Sequence, residues 1–369
     1  MELTSLRLGR NDSGAVIWKH PYTHCFIVGK SGTGKSNLIL NMIQQDSYYP
    51  NSRVILDPSD FMANDAYSIL KGKAVYSTRE NPIGMNPMLL PYGEDVICGI
   101  VAESLNQMIV KTTNNEVLTV AMRAILDESV KWNLERNRKS LLHVRDNIAV
   151  LKGSQTARDG LLARLNFLLG NRTMERMLCG QDSLNIPDLI ENRKSLILNL
   201  HGYSEEQFIF AGTLLLNQIK AHFRFGKVQK YKPLRAFIDE FHNFASGNIM
   251  SLLKEGRKFK FSFVMATVNF AGISPSIIHE LLSVGCIVAF KCASREAHAL
   301  AREFHTEPQQ LQFIEKYHFC YLTPTERGFA KAPSPPYVKK LRPKIQPEER
   351  RSSPKWKGWY VSESYQPAT

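Results

Sequence analysis

The eight residues Gly29-Lys30-Ser31-Gly32-Thr33-Gly34-Lys35-Ser36 constrain this chain more than any other stretch. They fit the phosphate-binding loop pattern, Gly, four residues, Gly-Lys and then Ser or Thr. The apolar run Cys25-Phe26-Ile27-Val28 before them reads as a buried strand, and Asn37-Leu38-Ile39-Leu40-Asn41-Met42-Ile43 after them reads as a helix. Strand, loop, helix is the context that turns the pattern into a site. The glycines let the backbone turn tightly and bring its N–H groups to phosphate oxygens, at the positive end of the following helix. Lys35 is expected to reach the β- and γ-phosphates, and the Ser36 hydroxyl to hold Mg²⁺.

The 369 residues suffice for one large α/β domain with an insert, or for two domains. A formal charge of +13 points to a polyanion partner or an acidic membrane surface, although charge says nothing about fold. No run of 18 uncharged apolar residues occurs, so no membrane span is expected, and the N-terminus lacks the basic start and apolar core of a signal peptide. Cys25, Cys98, Cys179, Cys286, Cys292 and Cys320 are scattered, with no Cys-x-x-Cys. That is cytosolic thiol usage rather than a disulfide framework or a zinc site.

Short strands are predicted on either side of the turn signal Arg10-Asn11-Asp12-Ser13-Gly14. Further buried strands are predicted at Val54-Ile55-Leu56, which ends at Asp57, and at Ala74-Val75-Tyr76. From about Glu94 to Gly180 apolar residues recur at helical spacing: Val96, Ile100, Val101 and Leu105, then Leu118, Met122, Ile125 and Leu126, then Leu161, Leu162, Leu165, Leu168 and Leu169. This is a helical insert whose leucine stripes serve helix packing. Strand grammar returns at Ser195–Leu200, Arg235–Asp239, Phe261–Thr267 and Gly285–Phe290. Short apolar strands separated by helices argue for a mainly parallel sheet covered on both faces. Beyond about Lys331, seven prolines and nine Lys or Arg against three Glu make a basic, Pro-rich tail that cannot bury a core and is expected to be disordered.

A second chemical stretch is Leu234-Arg235-Ala236-Phe237-Ile238-Asp239-Glu240. An apolar strand ending in Asp-Glu is what ATP hydrolysis needs beside a phosphate loop. Asp239 is expected to support the Mg²⁺, and Glu240 to orient and deprotonate the attacking water. At the end of the strand Phe261–Thr267, Thr267 or Asn269 is placed either to sense the γ-phosphate or to cap the next turn. Arg257 leads the candidates for neutralising transition-state charge, ahead of Arg295 and Arg302; each also reads as solvated basic surface. His242 either contacts the nucleotide or the subunit interface, or packs under the sheet. His24 reads as structural, positioning the strand through a ring N–H. Asp57 ends a strand close to the loop.

These residues resemble the FtsK–HerA superfamily of DNA-pumping ATPases. The resemblance runs through Leu6-Arg7-Leu8-Gly9-Arg10, Gly14-Ala15-Val16-Ile17, and His24 ahead of the loop strand. It continues through Phe237-Ile238-Asp239-Glu240-Phe241-His242-Asn243-Phe244, Gly256-Arg257-Lys258, Met265-Ala266-Thr267 and Ile273-Ser274-Pro275-Ser276-Ile277, and covers roughly residues 5 to 325. It departs where the family places Gln after Ala-Thr; this chain has Val268, then Asn269. The resemblance implies a P-loop NTPase fold (RecA-like, α/β), with an N-terminal β segment at 1–20 and the ATPase core at 21–93 and 186–330. An all-α insert at 94–185 and the basic tail at 331–369 complete the expected division. It also implies ATP with Mg²⁺, a homo-oligomer (usually a hexameric ring) with ATP between subunits, and double-stranded DNA in the channel. Within the class, the small size and the lack of an expected span favour viral genome packaging or HerA-like translocation, in the cytoplasm or associated with a virion. A protein-moving ATPase of the type IV secretion kind, and an assembly switch with little turnover, are the alternatives. In the tail, Lys355-Trp356-Lys357-Gly358-Trp359-Tyr360 reads either as a stacking surface for single-stranded bases or as a disordered segment or docking peptide for a capsid or secretion partner.

Overall fold

The computed structural model describes residues 5–19, 22–113, 116–226, 228, 230–336, 340, 341 and 359–361. Contacts divide the chain into two compact units: Met1–Tyr76 with Ile190–Leu200 and Lys230–Pro343, and Ser77–Leu189 with His201–Gln229 and Lys344–Thr369. The strands, in chain order, are β1 (Leu6–Asn11), β2 (Gly14–Trp18), β3 (Cys25–Val28), β4 (Ser52–Asp57), β5 (Ala74–Ser77), β6 (Asp182–Leu184), β7 (Ser195–Asn199), β8 (Leu234–Ile238), β9 (Phe261–Thr267), β10 (Cys286–Ala289), β11 (His318–Leu322), β12 (Arg327–Lys331) and β13 (Trp359–Val361). The helices are α1 (Lys35–Asp46), α2 (Ala63–Ile69), α3 (Glu94–Thr112), α4 (Val120–Glu135), α5 (Leu141–Ile148), α6 (Gln155–Leu169), α7 (Arg172–Cys179), α8 (Ile186–Glu191), α9 (Glu205–Phe225), α10 (Gly247–Glu255), α11 (Pro275–Leu282), α12 (Ser294–Phe304) and α13 (Pro308–Gln312).

The first unit is built on a sheet in the order β2-β1-β12-β11-β10-β3-β9-β8-β4-β7-β5. Its centre, from β10 through β3, β9, β8 and β4 to β7, is parallel. These strands are buried along their whole length, the pattern of a sheet covered on both faces. The hairpin β1–β2 and the pair β11–β12 extend one side in antiparallel sense. The pair β11–β12 was not among the strands expected from sequence. Its outer member alternates only weakly, and it pairs with β1, more than 300 residues away, through Arg10 and Lys331. In the second unit, α3 to α7 span the stretch of helical spacing, and α9 packs along α3. Residues 77–93 and α9 group with these helices rather than with the sheet.

Two buried polar clusters brace the sheet at the amino ends of its strands. At the first, the His24 Nδ1 accepts the backbone N–H of Phe263 at 2.9 Å, and the other ring nitrogen, Nε2, lies 2.9 Å from the Leu253 carbonyl. The Nδ1 lone pair is used as an acceptor, so the imidazole is neutral with its proton on Nε2, donated to Leu253. It ties β3 to β9 and to α10. Burial pushes the His24 pKa down from 6.5 to about 4. A folded-state pKa below the unfolded one means stability that is fully present above pH 6.5 and is lost as pH falls toward 4. The expected loss is about 3 kcal/mol. Urea titrations between pH 7 and 4 should show it, and His24→Gln, which keeps a donor toward Leu253 but cannot take up the proton, should flatten that part of the curve. An equally steep fall in the variant would assign the effect to other groups.

At the second cluster, Asp46 at the end of α1 meets two arginines set second in their strands, Arg53 of β4 and Arg235 of β8. Arg53 Nε lies 2.6 Å from Asp46 Oδ2, and Arg235 Nη1 pairs with Oδ1. Asn51 Nδ2 donates to the same Oδ1 at 2.9 Å, and Arg235 Nε donates to Ser262 Oγ at 3.1 Å. All three charged side chains are buried. One carboxylate cannot neutralise two guanidinium groups. The remaining charge is met by the negative end of α1, where Arg53 donates to the carbonyls of Asp46, Tyr49 and Asn51.

No helix among the described residues is long and apolar enough to cross a membrane. Most of the tail, including Lys355–Gly358, lies outside the described residues. Of the rest, Pro333 and Ser334 accept from Asn37 and Asn41 of α1, and Trp359–Val361 pairs with β6.

Candidate nucleotide site

The parallel strands bring their carboxyl ends to one edge. Gly29 N–H continues the ladder to the Thr267 carbonyl at 3.2 Å, and Asp239 N–H to the Leu56 carbonyl at 3.2 Å. The loop after β3, the acidic pair after β8, Thr267 of β9 and Asp57 of β4 therefore stand in a row. This is where a doubly wound sheet places its ligands.

The phosphate loop is clamped from outside by residues the sequence reading did not single out. Lys30 N–H donates to the Lys291 carbonyl at 2.8 Å, and Tyr317 N–H to the Thr33 carbonyl at 3.0 Å. Phe290 and Lys291 directly follow β10, so their position at a strand's carboxyl end was the available signal; Tyr317 carried none. Gly32 and Gly34 take φ of 74° and 123°, a region open to glycine and strained for other residues. No side chain caps the start of α1, and its first turn holds no acid. Its N–H groups and positive dipole end face the loop unneutralised.

Lys35 is buried and turns back on the loop, its Nζ donating to the carbonyls of Gly29 at 2.7 Å and Lys30 at 3.1 Å. Burial lowers its pKa, against the opposing pull of Asp239 and Glu240. Ser36 Oγ donates to Asp239 Oδ2 at 3.0 Å, and Glu240 N–H donates to Asp239 Oδ1 at 3.0 Å. Residues 203 positions apart thus meet as the spacing of metal chemistry requires. Desolvation raises the Asp239 pKa, opposed by those hydrogen bonds, and desolvation together with the Asp239 charge raises that of Glu240.

Glu240 sits in the left-handed region, at φ 48°. Its Oε2 is buried and accepts no hydrogen bond among the described residues; His242 Nδ1 lies 3.4 Å away. His242 Nδ1 is also 3.2 Å from Thr267 Oγ1, whose own proton goes to the Asn269 carbonyl at 2.9 Å. The histidine therefore supplies the proton of that contact, which ties His242, beside Glu240, to the end of β9. Asn269 Oδ1 accepts from Ala271 N–H at 3.0 Å, the turn-capping arrangement. Asp57 is spent on structure, accepting from Ser59, Met62 and Ala63 to start α2.

Arg257 is exposed in the turn Gly256–Phe259, at the amino end of β9. A strand of seven residues separates that end from the phosphate loop by about 20 Å, so Arg257 cannot serve its own subunit's phosphates. Arg295 and Arg302 are exposed on α12.

A hydroxyl, one carboxylate, a lysine and a helix N-terminus fit a polyphosphate with Mg²⁺. No group of three or more His, Cys, Asp or Glu able to hold a metal by itself exists among the described residues.

Residues 22–219 match the family model for the central domain of the helicase HerA. The chain belongs to that family. Among solved structures, this HerA-family chain is similar to a bacterial conjugative coupling protein, TrwBΔN70. The TM-score is 0.71 at 14% identity, over 92% of this chain and 96% of that one. It is also similar to VirB4 of Thermoanaerobacter pseudethanolicus, with a TM-score of 0.69 at 10% identity over 90% and 97% of the two chains. TrwB in complex with ADP and Mg²⁺ gives 0.68 at 14% identity, over 87% of each chain. At such identities the likeness is one of fold. No curated protein matches the chain.

Proposed function

We propose that this protein is an ATP-hydrolysing motor that moves double-stranded DNA, as a ring of identical subunits with nucleotide at each boundary. The observation that carries the reading is the hydrogen bond from Ser36 to Asp239, beside Lys35 and Glu240, in a chain of the HerA family. A TrwB structure holding ADP and Mg²⁺ supports ATP and Mg²⁺ as the ligands.

Mg²⁺, when bound, would neutralise the negative charge that develops during phosphoryl transfer. Lys35 exchanges the carbonyls of Gly29 and Lys30 for phosphate oxygens, which restores a full charge partner to a buried ammonium. Ser36 and Asp239 would hold the ion. Glu240 accepts the proton of the attacking water at Oε2, which stands 3.4 Å from His242 Nδ1. Arg257 works in trans: a head-to-tail interface brings it to the next subunit's γ-phosphate. The net charge of +13 suits a channel that grips phosphates without reading bases. Genome packaging or HerA-like translocation is the role this combination favours.

Steady-state ATP hydrolysis with and without long duplex DNA at low salt tests the reading. Several-fold stimulation is expected. Hydrolysis indifferent to DNA would move the assignment to a protein-transporting motor, and binding without turnover would move it to an assembly switch.

A further inference from the structure

The ring of Tyr317 stands against the phosphate loop, and none of the chemistry above uses it. Its N–H donates to the Thr33 carbonyl, and its own carbonyl accepts the Ala332 N–H at 2.7 Å. These bonds hold the residue at φ 64°, a conformation uncommon for a bulky side chain. A Cβ at position 34 would come within 3.0 Å of the ring's Cδ1, so the ring packs directly on the loop at Gly34. Yet Tyr317 is 40% exposed, whereas Phe290 and Phe319 nearby in the fold are fully buried. The Lys316 ammonium lies 5.0 Å from the ring centroid, so the ring already serves as a platform for a cation.

We propose that the base of the bound nucleoside triphosphate stacks on Tyr317. The proposal rests on the nucleotide-binding reading of the phosphate loop and names where the rest of that ligand goes. An aromatic face positioned by two backbone bonds to and around the loop gives the base a fixed partner at little cost in ordering. Stacking is tolerant of base identity, because every base has a π-face. The contact therefore does not select between bases, and ATP and GTP are bound comparably through it.

The test is titration of the full chain with ATP, GTP and inorganic tripolyphosphate, comparing wild type with Tyr317→Ala, Tyr317→Phe and Tyr317→Trp. Tyr317→Ala is expected to weaken ATP and GTP about tenfold or more and to leave tripolyphosphate unchanged, which also reports an intact loop. Tyr317→Phe should bind like wild type. The emission of Tyr317→Trp, compared with Tyr317→Phe to subtract the native tryptophans, should be quenched by ATP but not by tripolyphosphate. Equal weakening of ATP and tripolyphosphate in Tyr317→Ala would mean that the ring only props the loop, and would overturn the proposal. So would unchanged ATP affinity in a wild-type-like background. If wild type binds neither ligand, the phosphate-loop reading itself fails, and the platform with it.

Discussion

Glu240→Gln is expected to lower kcat by about 10²- to 10⁴-fold, the range for loss of a positioned general base, with ATP affinity retained. Glutamine keeps the size and the oxygen but cannot accept a proton from water. The environment of Glu240 adds a pH signature. Burial and the neighbouring Asp239 charge hold its pKa above the ordinary glutamate range, so the carboxylate is the stronger base. It acts only when deprotonated. The wild-type rate should therefore climb with pH through a midpoint above the usual glutamate value of about 4.3 and then level off. The limb should vanish in Glu240→Gln. A variant that keeps more than a tenth of kcat, or the same acidic limb, would show that another group takes the proton.

Asp46→Asn is expected to destabilise the fold by about 3–5 kcal/mol, the cost of breaking a buried ion pair by removing one partner. That is a large share of the ~5–15 kcal/mol that holds a typical protein folded. The asparagine fits the same space but removes the carboxylate charge that pairs with Arg53 and Arg235, both buried. Removing the whole charge set is expected to cost much less, because buried ion pairs often do little better than apolar residues of similar volume. Urea unfolding of Asp46→Asn beside Asp46→Leu/Arg53→Met/Arg235→Met separates the two effects. A triple variant as unstable as the single one would mean that the cluster stabilises through packing rather than charge pairing.

What the sequence discloses here is what is local. The loop and its flanking strand and helix sit within some twenty consecutive residues, and the Asp239-Glu240 ending of β8 is visible because the strand before it is uniformly apolar. The parallel centre of the sheet follows from such runs. Three features were out of reach for one reason: their partners are distant in the chain. Arg235 reads as a polar interruption in a strand until Asp46, 189 residues earlier, is found against it. β12 earns its place only by pairing with β1 and β11. Tyr317 looks like an ordinary loop residue until Thr33 and Gly34 lie beside it. Arg257 shows the same limit from the other side. Its sequence neighbourhood suggests a catalytic cation, and only the direction of β9 shows that it lies at the strand end away from its own subunit's phosphate loop.

In the proposed motor, hydrolysis at Lys35, Ser36, Asp239 and Glu240 drives motion along duplex DNA. The most direct measurement is displacement of a third strand from a DNA triplex placed far from the end of a long duplex, followed with ATP and Mg²⁺. Wild type is expected to displace the strand with a lag that lengthens with distance, and Glu240→Gln to displace none while still binding ATP. DNA-stimulated hydrolysis without displacement, or displacement by Glu240→Gln at the wild-type rate, would contradict the account.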